Sequence, residues 1–172
     1  MDIEVEDSAQ GDTQAMTRPV VLLIMGLGMQ LIAWPPQMVQ ALIDAGDRVV
    51  RLDNRDVGLS AHLGHLGKPK ILWAMMRMRL GLPLRAAYTL ADMAADALGT
   101  LDALQIESAH VVGVSMGGMI AQRVAIAAPK RVRSLTSIMS SSGAPGLPTA
   151  KRPILAMMLS RPQGKSVEAQ LE

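Results

Sequence analysis

Residues 109–119 read Ala-His-Val-Val-Gly-Val-Ser-Met-Gly-Gly-Met, placing Ser115 between glycines where a β-branched run meets an apolar helical run. Gly113, Val114, Ser115, Met116 and Gly117 form the pattern G-x-S-x-G. Small residues two before and two after a serine permit a strained strand-to-helix turn in which larger side chains would collide. Such a turn lifts the hydroxyl clear of a sheet at a helix N-terminus, where unpaired N–H groups and the helix dipole favour negative charge. The chemistry that follows is nucleophilic attack on an acyl carbon, with Ser115 as nucleophile. The plainer alternative is a small residue in a tight turn, with Gly117 and Gly118 serving close packing only. Placement after a strand and before a helix favours the nucleophile.

An acyl-transfer oxyanion needs two donors. One is the N–H of the residue after the nucleophile, Met116; the other comes from the loop after an earlier strand, here 26–29. Leu27 is the candidate, since Gly26 and Gly28 on either side let the backbone approach closely.

The elements that must position these groups follow from pattern. The apolar run 20–25, ended by Gly26, Leu27 and Gly28, predicts a strand buried on both faces. Pro35 and Pro36 open a helix to Ala45 that Gly46 stops, and 48–52 is a second strand ending at Asp53. Thr89 with Asp92 gives a capping box, followed by one helical face of Leu90, Met93, Ala94, Ala97, Leu98, Leu101 and Leu104. The run 110–114 is a third strand, 116–128 a helix stopped by Pro129, and 132–139 a fourth strand. This alternation predicts a three-layer α/β fold with a doubly wound, mostly parallel sheet. The segment 64–85 carries Lys68, Lys70, Arg77, Arg79 and Arg85 without an acidic residue and reads as a solvated helical excursion. Residues 140–148 read as a loop, and 151–172 as one or two short helices. The expected organisation is a poorly structured segment 1–18, a core 19–143, and the start of a cap or a loosely packed tail over 144–172.

Ligands of an open parallel sheet bind outside the carboxyl ends of the strands. Three loops gather there: 26–29, 53–60 and 113–118. The second, Asp53-Asn54-Arg55-Asp56-Val57-Gly58-Leu59-Ser60, is a polar turn. Together they resemble the α/β-hydrolase superfamily, whose members carry Asp-x-Arg-x-x-Gly-x-Ser, a glycine-rich turn after the preceding strand, and G-x-S-x-G after the next. More narrowly, 24–36 and 115–143 resemble bacterial esterases of the aclacinomycin methylesterase type, and the likeness spans nearly all of 19–150. Met25 stands where the family often has histidine, which leaves the backbone donor in place.

The resemblance implies Ser115 as nucleophile, Met116 and Leu27 as oxyanion donors, a small-molecule ester as substrate, and an acid and a histidine further along. Cap, further strands, acid and histidine are not in this sequence, so the expectation is an incomplete hydrolase fold, weakly active or inactive alone. His110 begins the strand that ends at Ser115 and lies about 16 Å away. His62 and His65 follow the Asp53 turn without a carboxylate nearby and read as solvated, and Asp53 and Asp56 read as turn-forming. A non-catalytic binding or interaction module is the alternative; truncation would leave 132–139 as an exposed edge inviting self-association. A dinucleotide-binding unit, with Gly26, Gly28 and Asp53, is the remote one: Leu31 replaces its third glycine and Pro35 and Pro36 delay the helix.

Composition narrows the rest. The 172 residues, 49% hydrophobic and 19% charged, suit one globular domain; with no Phe and 14 Met, aliphatic and thioether groups fill the core. A net charge of +2 argues against a nucleic-acid partner. No cysteine is present, which removes thiolate catalysis and cysteine metal sites and suits a reducing cytoplasm. The acidic 1–14 is unlike a signal peptide, and glycines and prolines interrupt the uncharged stretch 19–43 as a membrane span. No cofactor or metal is expected.

Overall fold

A computed structural model describes residues 1–66, 76–77, 82, 86–144 and 146–147. The chain divides into two units, 1–142 and 143–172, and the first holds all the elements described below. The expected basic excursion falls largely, and the tail or cap start almost wholly, outside the described residues.

The strands are β1 (Val5–Asp7), β2 (Val20–Ile24), β3 (Arg48–Leu52), β4 (Ala109–Val114) and β5 (Val132–Ile138). The helices are α1 (Pro36–Asp44), α2 (Leu90–Ala103) and α3 (Met116–Ala127). The strands form one sheet in the order β1-β3-β2-β4-β5, parallel throughout except for antiparallel β1. β2 is buried along its whole length, as a parallel strand covered on both faces must be.

Strand alternation sends side chains to two cores. Leu22, Ile24, Val50, Leu52 and Val111 pack with Met93, Ala97 and Leu101 of α2 and Ile120 and Val124 of α3. Val21, Leu23 and Val49 pack with Trp34 and with Met38, Val39, Leu42 and Ile43 of the α1 side. Helices therefore cover both faces, the expected three-layer arrangement. Burying each of Leu22, Leu23 and Ile24, none of which touches solvent, contributes about 1.5–3 kcal/mol.

Local signals account for the helix ends. Pro36 occupies the first turn of α1, where its missing N–H costs nothing. Thr89 caps α2 in a reciprocal box: Asp92 N–H donates to Thr89 Oγ1 at 3.3 Å, and Thr89 N–H donates to Asp92 Oδ2 at 2.7 Å.

The segment 1–18, expected to be poorly structured, carries β1 and a short 3₁₀ turn at Ala15–Thr17. β1 pairs with β3 in the register Val5↔Leu52, Glu6↔Arg51, Asp7↔Val50. Its acids meet the arginines of β3, Asp7 with Arg48 and Glu6 with Arg51, each at 2.6 Å. Met1, Ile3 and Val5 alternate with Asp2, Glu4 and Glu6, and Ile3 and Val5 pack against the core beside α2, while the acids are held by charges on a neighbour 41 residues away. Burial works to raise the Asp7 pKa, but the Arg48 guanidinium and the Ala9 N–H outweigh it and hold the carboxyl below the usual aspartate value.

The connection β2 to β3 runs one way across the sheet and the next, to β4, returns past β2 to its other side. The direction of winding therefore reverses between β2 and β4, the crevice where open α/β sheets place their ligands.

Candidate active site

The turn after β4 flanks that crevice. Ser115 has φ 54° and ψ −119°, a conformation costing a non-glycine residue about 1–3 kcal/mol. The surroundings over-determine it. Ser115 N–H donates to Ile138 O of β5 at 2.9 Å, and its own carbonyl accepts from Gly118 N–H at 3.0 Å, opening α3. A Cβ at Gly113 would sit 2.2 Å from Gly117 O, and one at Gly117 would sit 2.1 Å from Ile24 O. The two glycines of the motif are thus required for backbone contact between β4, α3 and β2, and the serine between them is pressed outward. It is partly buried, and its hydroxyl makes no hydrogen bond among the described residues.

The turn after β2 approaches from the other flank. A Cβ at Gly26 would lie 3.3 Å from Ser115 Cβ and 3.8 Å from its Oγ, so the two loops meet at this pair. Leu27 follows with its side chain 78% exposed, and no acceptor among the described residues takes its N–H or that of Met116. The sequence-predicted residues Ser115, Met116 and Leu27 are therefore gathered at one end of the crevice.

The polar turn after β3 holds the loop in place. Asp53, 3% exposed, accepts from Leu31 N–H through Oδ1 at 2.5 Å and from Leu59 N–H through Oδ2 at 3.3 Å. Asn54 Nδ2 donates to Met25 O at 2.9 Å. Ser60 Oγ donates to Asp53 O at 2.6 Å and accepts from Glu4 N–H at 2.9 Å, so the N-terminal segment braces the turn. Arg55 forks onto Asp96 of α2 at 2.7 and 2.8 Å and lies 4.9 Å over the Tyr88 ring. Its hydrogen bond to Asp96 holds the guanidinium even more firmly protonated than usual. The Leu63 N–H, then the Tyr88 hydroxyl, hold the Asp56 carboxyl below the usual range, while burial and Asp56 push Tyr88 up.

The three histidines have other partners or none among the described residues. His110 Nδ1 pairs with Ser134 Oγ at 2.7 Å at the opposite end of β4. His62 Nε2 pairs with Gly58 O at 3.2 Å in an exposed position, and His65 is exposed in the short turn Gly64–Leu66. None bonds Ser115. Asp53, spent on two backbone donors, has no free carboxylate for a ribose, and α1 begins only after a 3₁₀ turn at Leu31–Ala33, so the dinucleotide decoy finds no support here. Among the described residues no three His, Asp or Glu side chains are grouped as a metal ion would require.

Sequence reasoning missed Asn54 as a grip on Met25 and Arg55 as the link to α2. Their types stood in the quoted turn; their partners lie 29 and 41 residues away.

A family profile described as the alpha/beta hydrolase fold matches residues 19–164. This chain belongs to the alpha/beta-hydrolase family. Within that family it is 33% identical over 167 residues to rhodomycin D methylesterase DauP of Streptomyces sp. strain C5, covering 86% of this chain and 50% of that protein. It is 34% identical over 122 residues to rhodomycin D methylesterase DnrP of Streptomyces peucetius, covering 71% of this chain and 35% of the other. Among solved structures, the enol-lactonase from Burkholderia xenovorans LB400 superposes with a TM-score of 0.53 at 26% identity, covering 76% of this chain and 40% of that one. The chain thus spans half or less of the length of these relatives.

Proposed function

We propose that this chain carries the nucleophile and oxyanion hole of a serine hydrolase acting on small-molecule carboxylic esters. Ser115 Oγ attacks the acyl carbon as its proton passes to solvent water, the N–H groups of Met116 and Leu27 receive the negative charge that develops on the carbonyl oxygen, and collapse of this intermediate expels the protonated alcohol and leaves an acyl-serine that water hydrolyses. The observation carrying this reading is the positive-φ Ser115 at the start of α3 with the Gly26 turn in van der Waals reach. Methylesterases among the relatives favour ester over other acyl bonds. The cysteine-free composition favours a cytoplasmic setting.

The isolated chain is slow in this reading, because none of its three histidines accepts the Ser115 proton. Catalytic sites stripped of triad members keep about 10³- to 10⁴-fold over water through the oxyanion hole and binding. Hydrolysis of a p-nitrophenyl ester is therefore expected above the buffer rate but far below that of a complete hydrolase, and most of that residual rate persists in Ser115→Ala because the oxyanion hole and binding carry it. The readout specific to the nucleophile is an acyl adduct on Ser115, and failure to form one contradicts the assignment.

A second reading, an interaction module, is favoured by one feature. β5 ends the strand order with β4 as its only partner among the described residues, and Met139 beside it is 83% exposed. Self-association through 132–139 is expected in sedimentation at micromolar concentration, and a monodisperse monomer contradicts it.

A further inference from the structure

We infer that Asn54 and Asp53 are positioning residues that clamp the loop 25–31 at both ends and thereby set the direction of the Leu27 N–H. The catalytic meaning of this clamp rests on the serine-hydrolase reading; the clamp itself stands on geometry.

The loop leaves β2 at Met25 and closes at Leu31. At its start Asn54 Nδ2 donates to Met25 O at 2.9 Å, and at its end Leu31 N–H donates to Asp53 Oδ1 at 2.5 Å. Both grips come from adjacent residues of one buried turn, Asp53 and Asn54 each being 3% exposed. Between them, among the described residues, the loop has one internal backbone bond, Met29 N–H to Gly26 O at 3.3 Å. It also contains Gly28 at φ 69°, so it has little stiffness of its own.

That internal bond decides the geometry of the site. Gly26 C=O and Leu27 N–H belong to one planar trans peptide, and point in opposite directions. When Gly26 O is turned toward Met29 N–H, Leu27 N–H is turned away from the loop, where no described acceptor meets it. Rotation of that peptide would remove the donor without moving Ser115. The Asn54 grip on the preceding peptide, Met25–Gly26, resists such rotation, and the Asp53 grip keeps the closing end from drifting.

The turn after β3 is thus more than a tight connection. Its carboxylate and amide reach to the loop after the neighbouring strand, 22 and 29 residues earlier.

The test compares the full chain with Asn54→Ala and Asn54→Asp, which keeps the shape but lacks the N–H donor. Residue-resolved amide hydrogen exchange is measured at one pH, together with kcat and KM on a p-nitrophenyl ester. The expected result is exchange at Met29 and Leu31 faster by about tenfold or more, with the protection of Leu22, Leu23 and Val111 in the sheet unchanged. The residual kcat is expected to fall by about ten- to a hundredfold in both variants with KM little changed, as a misaimed donor predicts. Unchanged exchange at Met29 and Leu31, or an equal loss of protection across the sheet, overturns the clamp. Faster loop exchange with unchanged kcat overturns the positioning role. If the unsubstituted chain forms no acyl adduct at Ser115, the serine-hydrolase reading fails, and the exchange result alone still decides the clamp.

Discussion

The two turns that meet at Ser115 are held by different forces. After β4, the backbone is forced into its strained form by contact: Gly113, Gly117 and Ile24 O leave no room for a Cβ. After β2, the backbone is held by polar side chains reaching from a third loop, Asn54 to Met25 and Asp53 to Leu31. Steric packing tolerates no adjustment, because protein interiors are close-packed and a misplaced atom has nowhere to go. A hydrogen-bonded loop yields locally when one bond is lost, with a net cost of about 1 kcal/mol per bond unless a buried group is left unpaired. One flank of the site is therefore rigid and linked to the stability of the whole sheet, the other adjustable and separable from it.

The sharpest way to break this contrast is Gly117→Ala. Its Cβ would lie 2.1 Å from Ile24 O at the centre of the sheet. The substitution is expected to cost about 3 kcal/mol or more, or to prevent folding, in urea or thermal unfolding. Wild-type stability would show that the elbow is not sterically determined. Asn54→Ala, by contrast, is expected to act on its loop first, which is why local exchange is its proper readout.

Acid sharpens the contrast with a smaller effect. Asp56 in the polar turn is depressed by the Leu63 N–H and by Tyr88, and Asp7 at the sheet edge is depressed, against its burial, by Arg48 and the Ala9 N–H. Groups with lowered folded pKa values stabilise fully above their unfolded values, about 3.9, and lose that contribution as pH falls through the folded ones. No carboxylate bonds the elbow among the described residues. Amide chemical shifts of Leu63 and Ala9 are expected to titrate with midpoints below about 3.9 while that of Gly118 does not. A Gly118 shift with the same midpoint would contradict the separation of the two flanks.

The same contrast explains what could be read from the chain. The elbow was legible because steric demands act on neighbours in sequence: Gly113, Ser115 and Gly117 lie within five residues. β2, α1, β3, α2, β4, α3 and β5 were legible because apolar periodicity, prolines and the Thr89–Asp92 box are local signals. The clamp was not legible, because Asn54 in a polar turn reads as turn chemistry until its acceptor, Met25 O, is known. β1 was hidden for a related reason. Its stabilising partners, Arg48 and Arg51, are charges on another strand, and an acidic terminal segment alone resembles a solvated one.

The most direct test of the central claim, that Ser115 is a nucleophile supplied with oxyanion donors but no base, is its labelling by a fluorophosphonate as a function of pH. Slow modification mapped to Ser115 and absent in Ser115→Ala is expected, with a rate that climbs from about pH 6 to about pH 10 without a plateau where a histidine titrates, near 6.5. Rapid labelling at neutral pH with such a plateau would show a base within this chain, and modification at any residue other than Ser115 would remove it as the nucleophile.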